Sequence, residues 1–139
     1  RDLVRSRGLG DVYKRQELLH NESTKIPALH AKYYKIYNNI LTLKKAQETQ
    51  YKILKKEKWQ YYTGKASPEV YVEKPFDFKV LKADLDKYFD ADADIIKCTA
   101  KIEYQQIMLE YLESILKVIS NRTYQIKNAI EWQRFTNGL

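Results

Sequence analysis

Residues 55–65, KKEKWQYYTGK, set four lysines among three aromatic rings. On a helix, positions three and four apart share a face. One stripe then reads Lys44, Tyr51, Lys55, Lys58 and Tyr62; the adjacent stripe reads Lys45, Lys52, Lys56 and Trp59. Single-stranded nucleic acid asks for this combination. Its phosphates attract cations with an affinity that falls steeply with salt. Its unpaired bases stack on flat rings with little sequence preference. Duplex readout is better served by Arg and Asn at groove edges, and residues 25–65 contain no Arg. The candidate single-strand-binding residues are Lys45, Lys52, Lys55, Lys56, Lys58, Trp59, Tyr61, Tyr62 and Lys65. Two plainer readings compete: a solvated structural helix, and a basic helix lying on a membrane. The second is disfavoured because these rings share the lysine face instead of opposing it.

No constellation for catalysis or metal binding accompanies the lysines. TGK at 63–65 lacks the first glycine of a phosphate loop, and Ala66 stands where the hydroxyl residue belongs. DADAD at 90–94 begins like a calcium loop, but Ile95 and Lys101 replace its required Gly and Glu. His20 and His30 have no partner at ligand spacing. The single cysteine, Cys98, falls on a heptad position and reads as a small core residue. One cysteine forms no intrachain disulfide, so a reducing compartment is expected. No apolar run approaches the ~18 residues of a membrane span. A soluble, intracellular, non-enzymatic protein without cofactors is expected.

The 139 residues suit one domain, and the formal charge of +7 is uneven. Residues 25–65 hold ten lysines against Glu48 and Glu57, whereas residues 66–103 hold six lysines against nine acids. A basic block followed by an acidic one implies two different surfaces. Residues 1–16, RDLVRSRGLGDVYKRQ, differ in kind: they are Arg-rich, lack an apolar period and begin without Met. The run SRGLGDVYKRQ resembles a translated sequencing adaptor, so this segment is expected to be non-native or disordered. Residues 17–139 are the expected domain.

The elements that must position the lysines are two long helices, giving an all-α fold. The first is predicted over about 24–62, with Ser23 or Thr24 as N-cap and Pro27 in the first turn. Its seam reads Ile26, Leu29, Tyr33, Ile36, Ile40 and Leu43, then turns polar. The far half is therefore expected not to pack as the near half does. At ~1.5 Å per residue this helix spans about 60 Å. The segment 66–94 reads as an irregular linker, broken by Pro68 and Pro75, with short strands possible at VYV (70–72) and FDFKV (76–80). The second helix is predicted over about 92–135, capped by Asp92 or Asp94, with a bend near Ser120–Arg122. Its heptad runs Cys98, Ile102, Gln105, Leu109, Leu112, Leu116, Ile119, Thr123, Ile126 and Ile130. Tyr104, Met108, Tyr111, Ile115 and Val118 form a neighbouring stripe. Two helices do not cover a face that wide on each other alone, so homo-oligomerisation is expected through Leu109, Leu112, Leu116, Ile119, Ile126, Ile130 and Phe135.

The runs ESTKIPALHAKYYKIY, YKILKKEKWQYYTGKAS, DADIIKCTAKIEYQQIMLEYLESIL and NRTYQIKNAIEWQRFTNG resemble the UvsY-type recombination mediators of tailed phages. The resemblance covers about residues 17–139. It implies a non-enzymatic protein that binds single-stranded DNA. It also implies help for a phage RecA-like recombinase in displacing the phage single-strand-binding protein, in the cytoplasm of the infected host. It further implies a ring-like homo-oligomer of roughly six or seven copies. The family's basic motif falls on Lys56 and Lys58. Lys58 stands where the best-known pattern has Arg, which keeps the charge and loses the planar fork. Assembly maps to the second helix, residues 95–139. Residues 84–94 offer an acidic docking surface. The alternatives are a structural coiled-coil protein with an incidental basic face, and a small phage enzyme.

Overall fold

The computed structural model describes the backbone of residues 2–138, and their side chains except those of residues 2–7, 9 and 12. Four α-helices follow one another: α1 (Asp2–Tyr62), α2 (Pro68–Glu73), α3 (Leu85–Ala91) and α4 (Ala93–Asn137). A 3₁₀ turn, Lys82–Asp84, leads into α3. The chain is all-α, and the ends of α4 lie within two residues of those expected. The anticipated bend is not a break: α4 runs through Ser120–Arg122. The expected strands are overturned. Among the described residues there is none; Val70–Val72 lie in α2, and residues 76–80 are irregular. Pro68 sits in the first turn of α2 after the extended Ser67, where its fixed φ favours a helix. An isolated alternating triplet has no partner strand to pair with.

The start of α1 is also corrected. Ser23 and Thr24 are not caps. Each hydroxyl donates to the carbonyl three residues back, His20 and Asn21, at 2.8 Å. This is how such side chains satisfy themselves inside a helix. Leu19, one heptad before Ile26, packs with the same cluster and extends the seam upstream. Pro27 is therefore interior to the helix, where it removes one backbone bond.

The chain divides into two compact units: the residues up to Asn38 with those from Glu110 onward, and Asn39–Leu109. In the first, Ile26, Ile119 and Ile126 form a buried cluster against which Leu19, Tyr33, Ile115 and Ile130 pack. Each such side chain is worth ~1.5–3 kcal/mol when fully buried. Polar contacts flank it: Arg122 donates to Glu22 at 3.1 Å, and Tyr37 donates its hydroxyl to Glu113 at 3.0 Å. The bond to Glu113 pushes the Tyr37 phenol above its usual pKa.

In the second unit the α4 seam of Ile95, Cys98, Ile102, Gln105 and Leu109 is buried or half-buried, as its heptad requires. The α1 seam runs in a different register from the expected one. Ile40, Lys44, Gln47, Tyr51, Leu54, Lys58 and Tyr61 are half-buried, whereas Leu43, Gln50 and Glu57 are exposed. The same shift operates in the first unit, where His30 and Tyr37 are half-buried and Leu29 and Ile36 are exposed. Both registers share every seventh position and differ only in the one between. The observed register wins because α4 offers polar partners to the inward groups. Lys44 donates to Gln106 at 2.5 Å, and Gln47 donates to the Cys98 sulfur at 3.3 Å. The lysine stems cover apolar surface while their heads are bonded. The far half of α1 thus packs through polar pairs, a different mode from the apolar cluster of the near half, as expected.

Candidate nucleic-acid interface

The candidate interface lies on the last turns of α1, and their geometry is fixed by how that helix stops. Gly64 adopts φ +77°, a conformation that costs an L-residue ~1–2 kcal/mol. The Lys65 N–H donates to Gln60 O at 2.8 Å, and the Gly64 N–H to Tyr61 O at 3.4 Å. These are the paired bonds of a Schellman stop. The Tyr71 hydroxyl closes the end by donating to Tyr61 O at 2.8 Å. The chain reversal returns Lys65 over Trp59, with its ammonium 4.4 Å from the ring centroid.

Lys45, Lys52, Lys56 and Trp59 lie at successive heptad-like steps of α1, and all are exposed. Among the described residues, no carboxylate ion-pairs with Lys45, Lys52, Lys56 or Lys65. Trp59 is 38% exposed, so part of its ring remains open beside the Lys65 ammonium. This stripe is a cationic rail ending in a flat ring. Lys55 is exposed on the flank, its ammonium 6.0 Å from the Tyr51 ring and 5.9 Å from the Phe89 ring.

The other stripe is turned inward. Lys58 has a side chain only 16% exposed; it pairs with Asp94 at 2.7 Å and Asp92 at 3.3 Å. Partial burial works against its charge, but the bonds and attraction from Asp94 and Asp92 outweigh that and hold its pKa above the usual range. Tyr62 donates its hydroxyl to Asp92 Oδ2 at 2.5 Å. Burial and then that bond push the phenol well up. Asp92 is 6% exposed, and its other oxygen accepts the N–H groups of Asp94 and Ile95, both at 3.0 Å. It is therefore the N-cap of α4 and also the anchor for the end of α1. Burial alone would raise its pKa, but the bonds from Tyr62, the Ile95 N–H and Lys58 bring it below the ordinary value. Asp94 is lowered by Lys58. Tyr61 donates to Lys74 O at 3.1 Å and stacks on Tyr71 with centroids 5.5 Å apart.

The nine candidate residues are thus split. Lys45, Lys52, Lys55, Lys56, Trp59 and Lys65 face outward; Lys58, Tyr61 and Tyr62 are engaged within the chain. Sequence reasoning missed Tyr71 and the reach of Asp92, whose partner Tyr62 lies 30 residues away. It also missed Phe76 and Tyr88, which join Tyr61 and Tyr62 in one aromatic group.

The candidate assembly residues are placed as follows. Leu109, Leu112, Ile119 and Ile126 are buried, Leu116 and Ile130 are half-buried, and Phe135 is 79% exposed. Ile119, Ile126 and Ile130 belong to the intrachain cluster. In the first unit, the large apolar side chains left open on α4 are Tyr111, Val118, Tyr124, Trp132 and Phe135. Among the described residues, no His/Cys/Asp/Glu group has metal-holding geometry, and no helix is long and apolar enough to cross a membrane.

The chain is an all-helical protein in which exposed lysines, free of ion pairs among the described residues, lead to a part-open tryptophan. Residues 10–139 match the family described as "Recombination, repair and ssDNA binding protein UvsY", a match that begins inside the segment read as adaptor-derived. The chain belongs to this family. It is 23% identical over 128 residues to the recombination protein uvsY of Enterobacteria phage T4, covering 92% of this chain and 90% of that protein. The fold is similar to two crystal forms of the bacteriophage T4 recombination mediator protein UvsY, lattice types I and II. Each has a TM-score of 0.75 at 21% identity. They cover 91% and 93% of this chain, and 98% and 97% of the solved chains.

Proposed function

We propose that this protein is a non-enzymatic phage recombination mediator that binds single-stranded DNA along the outward rail of α1. Lys45, Lys52 and Lys56 contact successive phosphates, and Trp59 with Lys65 stacks a base at the end. The observation that carries the reading is that Lys45, Lys52 and Lys56 are exposed with no carboxylate partner among the described residues, whereas Lys44 and Lys58 of the other stripe pair with Glu48 and with Asp92 and Asp94. A solvated structural helix has no reason to keep one lysine row free of acids. The mediator acts as a homo-oligomer, in which copies of a weak site raise avidity without new contacts. A strand held on several copies is loosened from the phage single-strand-binding protein, and a RecA-like recombinase loads on it, in the cytoplasm of the infected bacterial host. The open apolar side chains Tyr111, Val118 and Trp132 of α4 suit the subunit contact.

Affinity for a fluorescent single-stranded oligonucleotide, measured across salt concentrations, tests the DNA step. The wild-type log affinity falls linearly with log salt. Replacing Lys45, Lys52 and Lys56 together by Ala flattens that slope by about 2, at ~0.7 per phosphate contact. An unchanged slope refutes the rail. Negligible affinity of the wild type at physiological salt favours a structural coiled-coil protein instead.

A further inference from the structure

Beside the end of α1 lies a cavity of about 510 Å³ lined by Tyr61, Tyr62, Phe76, Lys87, Tyr88 and Ala91. That size falls within the ~300–1,000 Å³ of small-ligand sites. Four of its six lining residues are aromatic. Phe76 stands edge-on to Tyr62 at 5.2 Å and 78°, and to Tyr88 at 5.8 Å and 87°. The two α1 tyrosines do not offer hydroxyls: that of Tyr61 is bonded to Lys74 O and that of Tyr62 to Asp92. They contribute ring carbon instead. No carboxylate lines the cavity, and Lys87 is its one charged group, 80% exposed at the rim. Its contact to Asp84 is a loose 3.5 Å between exposed groups, the kind worth ~0–1 kcal/mol. A phosphate displaces such a partner readily.

We propose that this cavity is a base-stacking subsite: an unpaired nucleobase lodges among Tyr61, Tyr62, Phe76 and Tyr88 while Lys87 holds the adjoining phosphate. The inference rests on the single-strand-binding reading above, and it gives the inward tyrosines a part in it. A flat, apolar-faced group joined to an anion meets both features of the site at once. The cavity and the rail share the last turn of α1, in which Tyr61 and Tyr62 face inward and Trp59 faces outward. Phe78, 73% exposed and 5.7 Å from Phe76, extends the same aromatic surface outward.

The full-length protein is titrated with a single-stranded oligonucleotide carrying 2-aminopurine, and with an abasic oligonucleotide that keeps every phosphate. Expected are a change of 2-aminopurine fluorescence on binding, and abasic binding weaker by about 5- to 150-fold per stacked base. Tyr88→Leu removes the ring, keeps apolar volume, and narrows the difference between intact and abasic strands to the share that Trp59 carries, without altering the salt slope; an unchanged difference overturns the subsite. Lys87→Ala, on an exposed side chain, leaves thermal unfolding unchanged and lowers the slope by about 0.7. Abasic strands that bind as well as intact ones, with the rail's salt slope preserved, overturn the subsite and the stacking on Trp59 and leave the phosphate contacts of Lys45, Lys52 and Lys56 standing. Absence of any single-strand binding overturns both. Variants that keep DNA binding but lose recombinase association assign the cavity to a protein partner and overturn the proposal as well.

Discussion

Replacing Asp92 by Ala is the most informative perturbation of the fold, because one carboxylate serves two helix ends. The substitution removes the N-cap of α4, which accepts two backbone N–H groups at 3.0 Å; such a cap is worth ~1 kcal/mol. It also strips the half-buried Tyr62 hydroxyl of its acceptor, at a cost of ~1–3 kcal/mol for an unsatisfied group. Lys58 keeps Asp94 at 2.7 Å, so the full ~3–5 kcal/mol of a broken buried pair does not apply. The loss should be about 2–4 kcal/mol, against the ~5–15 kcal/mol typical of a whole domain. Urea unfolding followed by helical circular dichroism measures it, and Asp92→Asn, which retains the Oδ1 acceptor, should lose less. The pH dependence follows from the directions of the shifts. Asp92 and Asp94 titrate below their ordinary values when folded. Their contribution is present above the unfolded value of about 4 and is lost as pH falls through the folded one. Lys58 is raised, so its contribution is present below the unfolded value of about 10.4 and is lost as pH rises through the folded one. Stability from this network is therefore level between those limits, and the acid-side loss shrinks in Asp92→Ala. An Asp92→Ala protein within 0.5 kcal/mol of wild type (about the size of an ordinary surface change) would refute the anchoring role.

Pro27→Ala should stabilise the protein by up to ~3 kcal/mol, since it restores a backbone bond inside α1. A neutral or destabilising result in thermal unfolding would mean that the helix begins near Thr24. Val118→Glu combined with Trp132→Glu, both on exposed positions, should lower the sedimenting mass while leaving helicity intact. Ile126→Ala, in the buried cluster, should instead cost ~2–5 kcal/mol of unfolding free energy. Unchanged mass in the double variant would exclude that face from assembly.

Much of the architecture was legible because it depends on local pattern. The α4 heptad from Cys98 to Ile130 names its inner face, since apolar side chains three and four apart have only one way to leave water together. Gly64 marks the end of α1, because only glycine takes a positive φ without strain. Asp92 was legible as a cap. The start of α1 was not, because Ser23 and Thr24 suit a cap and an interior back-bond alike, and Leu19 gains meaning only from its contact with the cluster. The candidate interface was half legible. The lysine rows were plain, but which row faces water was not.

The sequence by itself determined that this chain is helical, where α4 packs, and that two lysine rows with rings lie along α1. Those properties follow from periodicity, charge and the conformational limits of single residues. Only the tertiary structure decided that Lys58 and Tyr62 turn inward while Lys45, Lys52 and Lys56 stay free. The two registers of α1 differ by one position per heptad, and the observed one is the less apolar, with His30, Tyr37, Lys44, Tyr51 and Lys58 in place of Leu29, Ile36, Leu43, Gln50 and Glu57. What separates them is bonding to Asp92, Asp94, Gln106 and Glu113, residues 30 to 76 positions away in the chain. A polar group finds its reason to be buried in its partner, and no pattern within one helix contains that partner.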